Sequence, residues 1–147
     1  MTLYERINND LTTAMKAKDK FTLSVLRMFK SALDQNKTNQ RDIPTDDEII
    51  TTLRKQIKLR ESSILEYTKY EKQELVDNLK LEIEVLTKYL PVELTEEEVN
   101  KLLEEVFKEV NPTGIKDMGN IMKLMTEKIA GRYDMSKISG KVRERLN

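Results

Sequence analysis

The chain of 147 residues contains no cysteine and no histidine, and each absence removes a class of chemistry. Without cysteine the chain has neither a disulfide nor a thiolate metal ligand, and without histidine it has no imidazole ligand and no histidine acid or base. A metal ion would depend on Asp and Glu, and the sequence has no calcium-binding loop of the D-x-D-x-D-G type. It also has no glycine-rich phosphate loop and no nucleophile–base pair. We therefore expect no catalytic residue, no metal and no cofactor.

Turn-forming and aromatic residues are scarce as well. The chain has four glycines, three prolines and 5% aromatic residues, whereas 35% of its residues are charged. This composition is typical of an all-α protein. No run of about 18 apolar residues occurs, so we predict no membrane-spanning segment. The N-terminal "MTLYERINND" lacks the basic and then apolar layout of a signal peptide, and we expect a cytoplasmic protein.

Helical patterns run through the chain and predict where its helices begin. Capping boxes, in which Thr is followed three residues later by Glu, occur at Thr2/Glu5, Thr45/Glu48 and Thr95/Glu98. Asp19 and Asp134 are predicted to cap two further helices. Residues 36–48 are predicted to form a loop. The apolar stripe between residues 45 and 90 lapses at Thr68 and Glu71, so we predict a turn near residues 69–73.

Pro91 marks the main predicted boundary, because proline disfavours helical geometry in the residue before it. We predict an all-α fold with an N-terminal bundle of about four helices over residues 1–92 and a three-helix tail domain over residues 93–147. The sixth helix is predicted to start near Asp117, with that side chain as its cap, and to end at Gly131. Three methionines at helical spacing are predicted to lie in its core: Met118, Met122 and Met125.

The net charge of zero hides an uneven distribution. Residues 91–114 contain two basic and seven acidic side chains, whereas residues 115–147 contain eight basic and four acidic ones. We predict a basic surface on the last two helices, beside an acidic fifth helix. Such a surface is either a solvated helix face or a site of phosphate contact.

The segment "KDMGNIMKLMTEKIAGRYD", residues 116–134, resembles the tail signature of the GatB/YqeY family, K-D-M-G-x-x-M followed by K-x-x-G-[KR]-x-D. Residues 3–33 and 81–99 resemble other blocks of the same family, in the order found in stand-alone YqeY proteins. The resemblance implies a helical bundle followed by a three-helix tail. It also implies tRNA binding, because a similar region ends the B subunit of the glutamine-dependent aminoacyl-tRNA amidotransferase. The catalytic cradle of that subunit has no counterpart in this chain.

The basic last two helices are then the expected tRNA-binding surface. The candidate contacts are Lys116, Gly119, Lys123, Lys128, Arg132, Lys137 and Lys141. Gly119 has two interpretations: tight helix–helix packing, or close approach of a ribose-phosphate backbone to the helix start. Tyr133 is a weaker candidate, for stacking on an unpaired base.

Three hypotheses for function follow. The first is a tRNA-binding accessory protein without catalysis of its own. The second is a glutamine-dependent carbon–nitrogen ligase, the activity associated with the family name, although neither an ATP site nor an amidase site is recognisable. The third is a protein-only adaptor that docks on an aminoacyl-tRNA synthetase or amidotransferase.

Overall fold

The computed structural model describes residues 1–35 and 42–147 of the chain. Within these ranges it contains seven α-helices and no strand, so the predicted all-α class is confirmed. The helices are α1 (Leu3–Lys16), α2 (Lys20–Gln35), α3 (Asp46–Lys69), α4 (Gln73–Thr87), α5 (Glu96–Val110), α6 (Met118–Ile129) and α7 (Met135–Leu146), with a 3-10 turn at Ile115–Asp117 before α6. The predicted loop falls partly on residues 36–41, which lie outside the described residues.

Most predicted helix starts are where the sequence placed them. Thr2 and Thr95 each complete a capping box, in which the hydroxyl accepts a backbone N–H bond and a glutamate returns to the N-cap backbone. Thr45 forms only the first half: its hydroxyl accepts a bond from the Glu48 N–H at 3.2 Å. Local hydrogen bonds therefore determine these boundaries.

The chain divides into two compact units, Met1–Leu90 and Pro91–Asn147. The predicted four-helix bundle and three-helix domain, with a boundary after residue 92, are more specific than this division and stay a prediction. The first unit contains α1 to α4, and its core is built around the fully buried Phe29, Leu26 and Leu53. The predicted turn near residues 69–73 is confirmed, since α3 ends at Lys69 and α4 begins at Gln73.

The second unit contains α5 to α7 around a separate core. Five residues of this core are at most 1% exposed: Val99, Leu103, Ile121, Ile129 and Ile138. The predicted methionine core is confirmed, because Met125 is fully buried and Met118 and Met122 pack against the cluster. This core determines which sides of α6 and α7 remain available for a partner.

None of the helices in the described ranges is both long enough and apolar enough to cross a membrane.

Candidate nucleic-acid interface

Lys116, Gly119 and Lys123 lie along one side of the start of α6. Lys116 is in the 3-10 turn, and Gly119 and Lys123 follow at spacings of three and four residues. All three are exposed. Lys123 lies about 160° around the helix from the buried Met125, since each residue turns an α-helix by about 100°. These candidates therefore form one solvent-facing group.

Asp117 does not have the capping role that the sequence predicted. It occupies the position before α6, but no side-chain bond caps the helix there. Its carboxylate instead accepts hydrogen bonds from the Thr113 N–H at 2.8 Å and the Thr113 hydroxyl at 3.4 Å. The backbone bond from Thr113 holds the pKa of Asp117 below its usual value. The prediction was wrong because the 3-10 turn brings Thr113, rather than the α6 backbone, to this carboxylate.

The same 3-10 turn provides backbone acceptors for two N–H groups at the start of α6. The Asp117 N–H donates to the Gly114 carbonyl at 3.1 Å, and the Met118 N–H donates to the Ile115 carbonyl. These N–H groups are therefore already occupied by backbone acceptors. The lysine side chains Lys116 and Lys123 remain candidate phosphate contacts at this end of α6.

Gly119 is not explained by packing. A Cβ atom at this position would meet no atom within 4 Å, so the tight-packing interpretation is wrong. The side of α6 that carries Gly119 faces open space within the described structure. Close approach by an RNA backbone stays a prediction.

Lys128 and Arg132 are engaged within the second unit. The Lys128 ammonium lies 3.7 Å from the Glu105 carboxylate of α5. The Arg132 Nε donates to the Val92 carbonyl at 2.9 Å, while the Arg132 carbonyl accepts from the Leu94 N–H at 2.8 Å. Lys128 is also about 140° around α6 from Lys123. The structure therefore does not bring these two candidates together with the Lys123 group.

Lys137 and Lys141 lie one turn apart on α7. The Lys137 ammonium is 6.0 Å from the centroid of the Tyr133 ring. Tyr133 is only 6% exposed and belongs to the core, so the predicted stacking on a base is wrong. Among the described residues, no carboxylate lies within ion-pair distance of either lysine, nor of Lys116 or Lys123.

Arg145 was not among the sequence-based candidates. It is exposed, one further turn along α7 from Lys141, and its guanidinium carbon lies 5.4 Å from the centroid of the Phe107 ring. The spacing of residues 137, 141 and 145 was visible in the sequence and is the signal that identifies it.

An open groove of about 300 Å³ in the first unit is a less suitable site. It is lined by α1, α2 and α4, and its carboxylates already have partners within the protein. Asp10 accepts a bond of 2.6 Å from the Tyr89 hydroxyl, and Asp19 accepts one of 3.2 Å from the Thr22 N–H, which also confirms its predicted capping role. No group of three acidic side chains in the part of the chain described here is arranged to hold a metal ion.

Comparison with known proteins finds similarity over most of this chain. The family model described as "Yqey-like protein" matches residues 4–146. A protein of Pyrenophora tritici-repentis named "Altered inheritance of mitochondria protein 41, mitochondrial" is 27% identical over 143 residues, which cover 95% of this chain and 78% of that protein. An uncharacterized protein of Schizosaccharomyces pombe is 28% identical over 85 residues, which cover 58% of this chain and 69% of that protein.

Proposed function

This chain belongs to the family of YqeY-like proteins, and from that premise we propose that it binds tRNA through its second unit and catalyses no reaction on its own. The single observation that carries the proposal is a set of exposed or half-buried lysines, none of which is paired with a carboxylate in the described structure: Lys116, Lys123, Lys137 and Lys141. Unpaired cations on a helical surface are the side chains that neutralise phosphates, and each one adds salt-dependent affinity.

The charge of the second unit supports a defined orientation for the RNA. Seven of its acidic side chains lie in residues 91–114, most of them on α5, where they would repel a polyanion. The basic side chains are concentrated in residues 115–147. An RNA approaching α6 and α7 rather than α5 therefore meets attractive charge, and phosphate contacts would position it without reading its sequence.

The identity of the RNA comes from the family resemblance. The tail signature at residues 116–134 is similar to a region of the amidotransferase B subunit that binds tRNA. An aminoacyl-tRNA synthetase or an amidotransferase is accordingly the protein partner we propose. The cytoplasmic location suggested by the sequence also stays a prediction, whereas the name of the Pyrenophora relative assigns that relative to mitochondria. Cell fractionation distinguishes the two locations.

The test is a gel-shift titration of the purified chain with unmodified tRNA at two salt concentrations. The double variant Lys116→Glu/Lys123→Glu is expected to lower affinity by about tenfold or more and to flatten the salt dependence. Lys101→Glu/Lys108→Glu is the matched control, because it makes the same charge change on α5. Arg132→Glu is not suitable, since its guanidinium also holds the Val92 carbonyl.

Two outcomes would overturn the proposal. If the wild-type protein does not bind tRNA at low salt, the proposed function is wrong. If the two double variants lose tRNA affinity equally, the binding surface assigned to Lys116 and Lys123 is wrong. Co-purification with a synthetase or amidotransferase that survives RNase, without tRNA binding, would favour the adaptor hypothesis. Glutamine hydrolysis by the purified chain with mischarged tRNA would favour the ligase.

A further inference from the structure

Three cations lie in a line along α7. Lys137, Lys141 and Arg145 follow one another at four-residue intervals within Met135–Leu146. Four residues of α-helix advance by about 6 Å and return to nearly the same side, so the three positions span about 12 Å. We call these three residues the α7 row.

Both ends of the α7 row are oriented by aromatic rings. The Lys137 ammonium lies 6.0 Å from the centroid of Tyr133, and the Arg145 guanidinium lies 5.4 Å from the centroid of Phe107 on α5. A ring face attracts a cation without neutralising it, and a guanidinium keeps donors free at its edge. The ends of the row are therefore positioned without a paired carboxylate, whereas the Lys128 ammonium is paired with one.

Two acidic side chains occur in the segment that carries the α7 row, residues 134–146. The Asp134 carboxylate caps α7 by accepting a bond from the Ser136 N–H at 3.0 Å. Glu144 is exposed and next to Arg145 in the sequence, and it forms no ion pair with the row. Glu144 is thus the acidic side chain of α7 itself that opposes a polyanion at the α7 row.

We infer that the α7 row follows the phosphates of one RNA strand and that Arg145 is an RNA-contacting residue. The inference rests on the proposed tRNA binding and adds the mode of contact. One strand of a duplex carries a phosphate for about every 3.4 Å of axis, so a row of about 12 Å spans three to four phosphates. Three cations in a line can contact successive phosphates of one strand, whereas contact with a single phosphate would need only one cation.

The test compares the salt dependence of tRNA binding for Lys137→Gln, Lys141→Gln, Arg145→Gln and the triple variant. Each single change is expected to reduce the slope of log K against log salt by about 0.7–0.9, and the triple variant by about 2–3. Arg143→Gln is the matched control, because Arg143 is exposed on α7 about 160° around the helix from both Lys141 and Arg145, and it is expected to leave the slope unchanged.

Two further variants separate charge from folding. Arg145→Lys keeps the charge and is expected to keep the slope. Glu144→Gln removes the opposing carboxylate and is expected to tighten binding, a gain that a folding defect would not produce. Circular dichroism confirms that each variant remains helical.

The inference fails if the triple variant binds tRNA with the wild-type slope, a result that leaves the proposed function intact and assigns it to the Lys116 and Lys123 side of α6. It also fails if Arg143→Gln reduces the slope as much as Arg145→Gln does, because the contact is then diffuse. Absence of wild-type binding would instead overturn the proposed function itself.

Discussion

Replacing Tyr89 by phenylalanine tests the contact that joins α1 to the end of the first unit. Tyr89 is 4% exposed, and its hydroxyl donates to the Asp10 carboxylate at 2.6 Å. Phenylalanine keeps the ring and its packing, including the Arg6 guanidinium 4.9 Å from the ring centroid. The substitution therefore removes one hydrogen bond to a charged acceptor and little else.

The expected magnitude depends on pH. At pH 7 a hydrogen bond to a charged group contributes about 1.5–3 kcal/mol, and we expect Tyr89→Phe to lower the free energy of unfolding by about 2 kcal/mol. Burial, followed by the bond to Asp10, raises the pKa of Tyr89 well above its ordinary value. The unfolded chain releases this proton near pH 10 and the folded protein does not, so the folded state binds more protons and loses stability as the pH rises above 10.

At pH 11 this linkage lowers the stability of the wild-type protein, whereas the phenylalanine variant has no hydroxyl proton to lose at this position. The difference between wild type and Tyr89→Phe should therefore shrink from about 2 kcal/mol at pH 7 to a clearly smaller value at pH 11. Urea unfolding followed by circular dichroism measures both values. Tyr70→Phe is the control, because Tyr70 is 68% exposed, and it is expected to change little at either pH.

A constant difference between wild type and Tyr89→Phe at the two pH values would refute the reasoning, since it would mean that the hydroxyl titrates alike in the folded and unfolded states. A difference of zero at pH 7 would refute the hydrogen bond itself.

Two other substitutions test the helices. The Arg60 and Glu82 side chains, 3.3 Å apart and about one-tenth exposed, join α3 to α4. In urea unfolding, Arg60→Met is expected to lower the free energy of unfolding by about 3 kcal/mol, because it leaves the Glu82 carboxylate without its ion-pair partner. The double variant Arg60→Met/Glu82→Leu is expected to change it by close to zero, and equal losses in the two variants would contradict a coupled pair. Gly119→Ala is expected to raise the free energy of unfolding by about 0.5–1 kcal/mol, because its Cβ enters open space. A lower melting temperature would contradict this, and weaker tRNA binding would support close approach of the RNA backbone.

Much of the fold was predictable because helix ends depend on neighbours within a few residues. Thr2, Thr95 and Asp134 form the caps that the sequence predicted. The turn near residues 69–73 followed from an interrupted apolar stripe. The predicted family membership is likewise confirmed by a match over residues 4–146.

The candidate site was less predictable. The charges were assigned to the correct helices, but Lys128 and Arg132 have partners far away in the sequence: Glu105 and the Val92 carbonyl. Tyr133 was a candidate for stacking on an unpaired base, and the structure buries it. Such outcomes depend on which helices meet, and periodicity describes only one helix at a time.

The sequence by itself determined the all-α class, most of the helix starts, the family and the segregation of acidic and basic residues, because these follow from composition and from contacts within one or two turns. Only the tertiary structure decided which cations remain unpaired, that nothing packs on Gly119, and that Phe107 lies against Arg145. The physical reason is that pairing and burial are set by atoms from different helices, and their distances exist only once the two cores have formed.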